Sequence, residues 1–372
     1  MRKAFKYRIY PTKGQAHIML NTLEQCRWVY NQTLAYRKDA WEQRQESISL
    51  YKSNLLLPIW KQERPELKAT YSQALQDVQE RVDLGFKAFF RRVKAGENPG
   101  YPRFRGRDRY DSFTYPQFGF AVKDGMLNLS KVGAIKINLH RPIEGGIKTC
   151  SIRRRLNKWY VCFSCDVDPQ PLPESDKAVG IDVGLESFAT LSTGDKIANP
   201  RFFKTDEKAL AKSQRKMAKL DKGTLERRRV KKVVSRIHER IANRRHNFAH
   251  LEARKLVNEF GIIAVEKLQI KDMMDGNWRS MNRSIGDVAW AQFRQCIKYK
   301  AEYAGRMYVE VNPRGTTQRC SRCQSIVPKD LSVRIHSCSV CGLVLDRDLN
   351  ASFNILALGL QSMGSIPRSP RL

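Results

Sequence analysis

The chain has 372 residues, 41% of them hydrophobic, with 68 Lys+Arg against 37 Asp+Glu, a formal net charge of +31 and a pI near 10.0. That length predicts two or three domains, and the apolar content can build real cores, which excludes a disordered basic tail. Positive charge on this scale repels itself unless a polyanion neutralises it, so nucleic acid is the expected partner, ahead of a merely soluble or ribosome-like basic protein. No stretch approaches the run of about eighteen apolar residues that a membrane span needs, and Met1-Arg2-Lys3-Ala4-Phe5-Lys6-Tyr7 lacks the apolar core of a signal peptide. Nine cysteines, four of them in one metal motif, fit a reducing cytoplasm better than a disulfide scaffold.

In chain order, residues 3–10 alternate, with Phe5, Tyr7 and Ile9 on one face and Lys6, Arg8 and Tyr10 on the other, which reads as a half-buried strand. Thr12 and Gln15 form a capping box for the helix that follows, where Leu20, Leu23, Arg27, Tyr30 and Leu34 recur at helical spacing. A second helical stretch covers 66–94, with Tyr71, Leu75, Val78, Val82, Phe86 and Phe89-Phe90 as its stripe. Residues 101–115 interleave aromatic rings with guanidinium groups, among them Tyr101, Arg103, Phe104 and Arg105. Such a stretch can stack bases while neutralising phosphates; it can equally be a basic loop whose rings pack inward. Short strands from Phe118 to Val167 read as a small β-barrel, and the strand at 3–10 belongs with them, so the helices between look inserted into that barrel.

Pro169, Pro171 and Pro173 mark a linker. Beyond it the pattern alternates strands at 179–197, a basic helical stretch, a strand at 261–265, a helix and a strand at 307–311. Between 204 and 255 lie Lys212, Arg215, Lys216, Lys219, Arg227, Arg228, Arg229, Lys231, Lys232, Arg236, Arg240, Arg244 and Arg245. A charge run on a helix is ordinarily a solvated face, but acids spaced for i,i+4 pairing are sparse here, which favours phosphate contact. The last residues, 361–372, read as a mobile tail.

Two constellations carry chemistry. Cys320-Ser321-Arg322-Cys323 and Cys338-Ser339-Val340-Cys341 are two CxxC knuckles separated by fourteen residues. Two tight turns with two thiolates each can close a tetrahedron around zinc, a filled and hence structural site. Cys162 and Cys165 also form a CxxC, but in an alternating strand they point to opposite faces and read as core packing. The second constellation is acidic. Asp182 lies inside the apolar strand Val179-Gly180-Ile181-Asp182-Val183-Gly184, Glu266 ends the strand Ile262-Ile263-Ala264-Val265-Glu266, and Asp346 and Asp348 open an apolar helix. Each has a bland explanation in strand-end solvation or helix capping. Together, with two at buried strand positions where an unpaired charge is costly, they suit Mg²⁺ and two-metal phosphodiester hydrolysis. His246 and His250, four apart on a basic helix, lack the Glu of a zinc protease and read as phosphate or packing residues.

The order of hairpin Asp, strand-end Glu, zinc ribbon and Asp-x-Asp-x-Asn-Ala resembles the TnpB family, relatives of type V CRISPR effectors. The likeness covers nearly the whole chain, including Phe89-Phe90-Arg91-Arg92, Gly100-Tyr101-Pro102-Arg103-Phe104, Val265-Glu266-Lys267-Leu268 and Thr317-Gln318-Arg319-Cys320-Ser321-Arg322-Cys323. The resemblance implies an α/β architecture: a RuvC-like RNase H fold nuclease with an inserted zinc ribbon, and an N-terminal β-barrel (wedge) carrying an inserted helical recognition domain. The implied boundaries are 1–12 and 111–172 for the wedge, 13–110 for the recognition helices, 173–317 and 345–360 for the nuclease, 318–344 for the ribbon and 361–372 for the tail. It implies Asp182, Glu266 and Asp348 as the nuclease triad holding Mg²⁺ (or Mn²⁺), with Asp346 as runner-up for the third place. One structural Zn²⁺ would sit on Cys320, Cys323, Cys338 and Cys341. Tyr101, Arg103, Phe104, Arg105, Arg227, Arg228 and Arg229 are the candidate nucleic-acid contacts.

The implied activity is transposon-associated, RNA-guided cleavage of double-stranded DNA. A guide RNA derived from the transposon end, one protein per RNA, would find a target beside a short motif in the bacterial cytoplasm and nucleoid. Gln324 departs from the family's usual Gly at a turn without touching a ligand. A repressor that lacks nuclease activity would have lost a triad acid. A DDE-type transposase usually ends its acidic set with Glu and has no zinc ribbon just before the last acid.

Overall fold

The computed structural model describes residues 1–275, 278–330 and 332–364, so the tail expected at 361–372 lies outside the described residues from 365 onward. The chain divides into two compact units, Met1–Asp168 and Pro169–Leu372. Among the described residues, no helix is long and apolar enough to cross a membrane.

The first unit contains β1 (Arg2–Tyr10), α1 (Lys13–Arg44), α2 (Leu50–Asn54), α3 (Leu56–Glu63), α4 (Ser72–Lys94), β2 (Ser112–Tyr115), β3 (Phe120–Lys123), β4 (Met126–Leu129), β5 (Gly133–Asn138), β6 (Gly146–Arg155) and β7 (Lys158–Asp166). Period-two alternation buries Phe5, Tyr7 and Ile9 and makes β1 an inner strand, antiparallel to β7 with Phe5 opposite Phe163 and to β5 with Tyr10 opposite Lys136. The sheet order is β2-β6-β7-β1-β5-β4-β3. The helices thus lie in sequence between the central strand and an edge strand. Where the sequence pattern suggests a barrel, no ladder joins β2 to β3 among the described residues, and the sheet is open by its pairing. The β2 edge is met by α4, whose Arg81 donates to the Ser112 carbonyl at 3.0 Å and to Thr114 Oγ1 at 2.7 Å. A covered edge needs no closing strand.

The Thr12–Gln15 capping box is present in both directions and starts the 32-residue helix α1. The helical stretch at 66–94 is divided: Pro65–Ala69 is a 3₁₀ turn, and α4 begins at Ser72. Helices α2 and α3 have too few residues to show a period and are not legible from the pattern. Cys162 and Cys165 fall on opposite faces of β7, the first half-buried and the second buried.

The second unit contains β8 (Ala178–Val183), β9 (Ser187–Leu191), β10 (Lys196–Ala198), α5 (Phe202–Ala218), α6 (Leu225–Glu259), β11 (Ile262–Glu266), α7 (Ile270–Met274), α8 (Arg279–Val288), α9 (Trp290–Tyr303), β12 (Met307–Val311), β13 (Ile335–Ser337), β14 (Val344–Asp346) and α10 (Arg347–Ser362). Its five-stranded sheet has the order β10-β9-β8-β11-β12. Strands β8, β11 and β12 are parallel neighbours, and β9 is antiparallel to both β8 and β10. Val179, Ile181, Ile263 and Val265 face a core built with α6 and α9. The alternate residues face α10, where Ala264, Val311 and Ile355 pack together.

Helix α10 lies directly on the β8 backbone. A Cβ on Gly180 would stand 2.1 Å from the Ser352 carbonyl oxygen and 2.6 Å from the Leu356 nitrogen, and one on Gly359 would stand 2.6 Å from Ala264 Cβ. Neither Ser352 nor Leu356 can yield without moving the helix. Gly180→Ala should therefore lower unfolding free energy by about 3 kcal/mol or more, read by urea or thermal unfolding of the purified chain; parental stability would show that the helix can lift off.

Candidate active site

Strands β8 and β11 run parallel with Val265 opposite Ile181. Asp182 and Glu266 are each one residue further on, so they are neighbours at the same end of the sheet, on the α10 face. The N-terminus of α10 brings up the third acid, and a Cβ on Gly184 would be 4.0 Å from Asp348 Oδ2. Asp182 and Glu266 are each 7% exposed. Burial raises Asp182 well above the ordinary aspartate value, and the charges of Glu266 and Asp348 raise it further, with Arg347 opposing. Burial also raises Glu266, while a hydrogen bond from Thr316 pulls the other way. Two acids from two other elements therefore act on the buried Asp182. The carboxylate oxygens of the three do not all lie within 4.8 Å of one another; a divalent cation between these hard oxygen donors would have to draw them in, and would relieve the repulsion on Asp182.

Glu266 and Asp348 each have a side-chain partner. Thr316 Oγ1 donates to Glu266 Oε1 at 2.6 Å, and the Arg347 guanidinium reaches Asp348 Oδ1 at 2.8–2.9 Å. Asp346 is used differently. Its Oδ1 caps α10, accepting from the amides of Asp348 at 2.9 Å and Leu349 at 3.0 Å, and its Oδ2 pairs with Lys196 at 2.8 Å. Burial works against its ionisation, but Lys196 and the cap amides hold it below the ordinary value. Asp346 is thus absorbed by the helix terminus, while Asp348 is the acid of the pair that acts on Asp182.

Cys320, Cys323, Cys338 and Cys341 place their sulfurs within 4.8 Å of one another, the only such group of potential metal ligands among the described residues. The Cys320–Cys341 and Cys323–Cys338 separations are both 3.6 Å, against about 3.8 Å for the edge of a tetrahedron with Zn–S bonds near 2.3 Å. The residues present fit Zn²⁺. Hydrogen bonds from the Ser325 side chain and amide pull Cys323 down to about 6. Cys341 receives the Leu343 amide, which lowers it, yet burial and the three other thiols push it up to about 12. Thiolates packed this closely repel one another, and a cation between them removes that cost. The two knuckles share a turn: the Gln324 amide donates to the Cys320 carbonyl and the Gly342 amide to the Cys338 carbonyl, both at 2.9 Å. Gly342 sits at φ 71° and Gln324 at φ 64°, so the residue that departs from the family's glycine is held in the left-handed region.

The nucleic-acid candidates divide. Within 101–115, Phe113 and Tyr115 are buried in β2, and Tyr110 packs 6.0 Å from Tyr30. Tyr101 stands edge-on to Phe86 and Phe89 while remaining 38% exposed. Phe104 and Arg103 are exposed. Arg105 has its backbone clamped by Asn31 on both sides, at 2.8 and 3.0 Å, with its guanidinium over Tyr30. Inward packing holds for Tyr110, Phe113 and Tyr115, while Arg103 and Phe104 stay exposed.

On the basic helices, Arg227 is half-buried and donates to the Met217 carbonyl at 2.8 Å and to that of Leu220, closing the end of α5; Arg228 and Arg229 are exposed. Phosphate contact is not the first role of Arg240, Arg244 and Arg245. Arg240 and Arg244 pair with the buried Asp206 of α5, and Arg245 pairs with Asp287 of α8 at 2.7 Å. Their acids come from other elements, which the i,i+4 rule does not count. Lys208, Lys212, Arg215, Lys216 and Lys219 line a shallow groove along α5. The His246 and His250 Nε2 atoms are 3.1 Å apart, and His250 Nδ1 meets the Tyr299 hydroxyl at 3.0 Å.

Residues 161–277 match the family profile described as "Probable transposase", 290–355 the "Cas12f1-like, TNB domain" and 1–46 a "Helix-turn-helix domain". The last span holds β1 and the single long helix α1. A Streptomyces pristinaespiralis protein named as an RNA-guided DNA endonuclease is 34% identical over 369 residues, covering 97% of this chain and 90% of that protein. An Escherichia coli K12 protein named as the RNA-guided DNA endonuclease InsQ is 29% identical, covering 96% and 92%. The CRISPR-associated endodeoxyribonuclease Cas12f1 of Sulfoacidibacillus thermotolerans is 28% identical over 214 residues, 54% of this chain and 50% of that one.

Two outcomes follow from the geometry. Because Asp182 is raised in the folded chain, the fold holds a proton that the unfolded chain has released, and stability falls as pH rises above the unfolded value of about 4. Asp182→Asn should then raise the melting temperature by roughly 2–6 °C at pH 7.5 without divalent ions, with the gain shrinking toward pH 4; an equal gain at both pH values would contradict the buried-charge account. Gln324→Gly should stabilise the chain by about 0.5–1 kcal/mol with zinc content unchanged, checked by calorimetry and elemental analysis.

Proposed function

The chain belongs to the TnpB family of RNA-guided DNA endonucleases, and from that premise we propose that it cleaves double-stranded DNA at Asp182, Glu266 and Asp348 under the direction of a bound RNA. The observation that carries this reading is the convergence of three carboxylates, two of them buried, within a chain of net charge +31. A basic protein that only bound nucleic acid would gain nothing from a repulsive acidic pocket facing its ligand. All three acids are retained, which favours a nuclease over a repressor on the same scaffold.

The strand order β10-β9-β8-β11-β12, antiparallel at β9 and parallel from β8 to β12, supports a RuvC-like RNase H fold. In that reading 173–317 and 345–360 form the nuclease and 318–344 the ribbon. The strands of 1–12 and 111–172 are the wedge, and 13–110 are the recognition helices. Asp182, Glu266 and Asp348 would hold Mg²⁺ or Mn²⁺, which supplies an activated water and neutralises the leaving oxygen in phosphodiester hydrolysis. The chain's own residues do the rest. Burial of Asp182 and Glu266 excludes bulk water and strengthens every charge interaction in the site. The cap at Asp346 fixes the first turn of α10 and with it Asp348.

Exposed Arg228, Arg229 and the Lys212–Lys219 face of α5 are suited to phosphates, and exposed Arg103 and Phe104 to the duplex beside the target. The RNA comes from the transposon end, one per protein, and its pairing with the target strand supplies specificity while the protein reads backbone and a short flanking motif.

The test is to exchange the guide portion of the co-purified RNA and ask whether a matching plasmid is linearised in Mg²⁺. Cutting should follow the guide, and Asp182→Ala should lower it by about a thousandfold or more while RNA and target binding stay within twofold. Cleavage that ignores the guide or survives RNA removal would return the protein to ordinary transposases.

A further inference from the structure

Two asparagines stand four residues apart on one face of α10 and are almost wholly buried, Asn350 at 0% and Asn354 at 3% exposure. Burying an amide is costly unless each polar atom is matched, and a helix that needed only to adhere to its neighbours would be served by leucine. Here the amides are matched against one short segment, the link from β12 to the first zinc knuckle. Asn350 Oδ1 accepts from the Ser321 amide at 2.9 Å, and its Nδ2 donates to the Arg319 carbonyl at 2.8 Å. Asn354 Nδ2 donates to the Arg319 carbonyl at 2.7 Å and to the Thr316 carbonyl at 2.8 Å. The next link reaches the acids. The Thr316 side chain, in a residue only 3% exposed, donates to Glu266 Oε1 at 2.6 Å, closer than its alternative acceptor, the Pro313 carbonyl at 3.1 Å. Among the described residues it is the one hydrogen-bond partner of the Glu266 carboxylate.

We propose that Thr316 is a positioning residue for Glu266, held in place by Asn354 and Asn350, so that one helix sets both the second and the third acid of the nuclease site. Asp348 sits on the first turn of α10 by its own backbone; Glu266 is tied to the same helix through Thr316. No other hydrogen bond among the described residues fixes the orientation of the Glu266 carboxylate. The hydroxyl takes one oxygen and leaves the other for a cation, which is how an outer partner orients a ligand. Cys320 directly follows the clamped Arg319, so the zinc ribbon anchors the far end of the same segment. This inference rests on the nuclease reading for its consequence in DNA cutting, but not for its measurement.

The measurement uses the full chain with its RNA and Mn²⁺ as the probe. Thr316→Val keeps the shape and removes the hydroxyl; Thr316→Ser keeps the hydroxyl. Mn²⁺ affinity, read by electron paramagnetic resonance, should fall about 10–100-fold in Thr316→Val and stay within twofold of the parent in Thr316→Ser. The metal concentration for half-maximal cutting should shift by the same factor, with zinc content held at one per chain. Asn354→Leu, which acts one bond further away, should weaken Mn²⁺ in the same direction and stands in if Thr316→Val does not fold. Parental Mn²⁺ affinity in Thr316→Val, or in Asn354→Leu where that variant stands in, overturns the proposal, as does an equal loss in Thr316→Ser. A parent that binds Mn²⁺ but fails to cut guide-matched DNA would fall on the nuclease reading alone.

Discussion

The second unit depends on how closely α10 lies on the sheet. At Gly180 the helix backbone occupies the space a side chain would need, and at Gly359, on the helix itself, Ala264 Cβ of β11 does. Those two contacts fix the helix in both depth and rotation. Asp348 is then delivered beside Gly184 and Asp182, and Asn350 and Asn354 are turned toward the segment that leads to the zinc knuckles. A helix packed at ordinary distance over larger side chains would stand off the sheet by several ångströms, beyond the reach of these bonds. The Gly in Gly180-Ile181-Asp182 is therefore part of the active-site geometry although it carries no chemistry.

Stability and chemistry pull against each other at this point. Two buried strand acids repel each other and a third on the helix, and each would be cheaper to protonate or replace. The surroundings offset part of that cost. Arg347 pairs with Asp348, Thr316 donates to Glu266, and the cap at Asp346 satisfies two amides at the helix start. None of these neutralises Asp182, whose shift stays upward. The residual demand for positive charge is what a divalent cation would meet. The zinc ribbon solves the analogous problem for four thiols, with Ser325 and the Leu343 amide donating to the Cys323 and Cys341 sulfurs.

Charge is organised as well as abundant. On α6, Arg240, Arg244 and Arg245 serve Asp206 and Asp287, and Arg227 serves the carbonyls at the end of α5. These guanidiniums hold the basic helices in place. The lysines and arginines left exposed on α5 and at the start of α6 are the ones available to a polyanion. In the first unit the same economy appears at Arg81, which covers the edge of β2, and at Arg37, which joins α1 to α4 through Asp83 at 2.8 Å.

By itself the sequence determined whatever depends on near neighbours. The CxxC spacing forms turns closed by amides on the first cysteine's carbonyl, the Thr12–Gln15 box starts α1, alternation marks β1 and β7 as strands, and apolar runs mark β8 and β11 as strands with Asp182 and Glu266 on them. It left Asp346 and Asp348 competing, because both sit where a cap or a ligand can sit, and only the fold showed which one the helix amides consume. It also left Thr316, Asn350 and Asn354 silent: the nearest hint was a pair of amides at i and i+4 in an apolar helix, and their partners are 29–38 residues away, or 50 for Thr316 and Glu266. The acids that claim Arg240 and Arg245 come from α5 and α8, outside any helical period. Such pairings arise only when the sheet, α10 and the basic helices are packed, since a hydrogen bond or ion pair across so long a loop cannot repay its ordering entropy until other contacts have closed that loop.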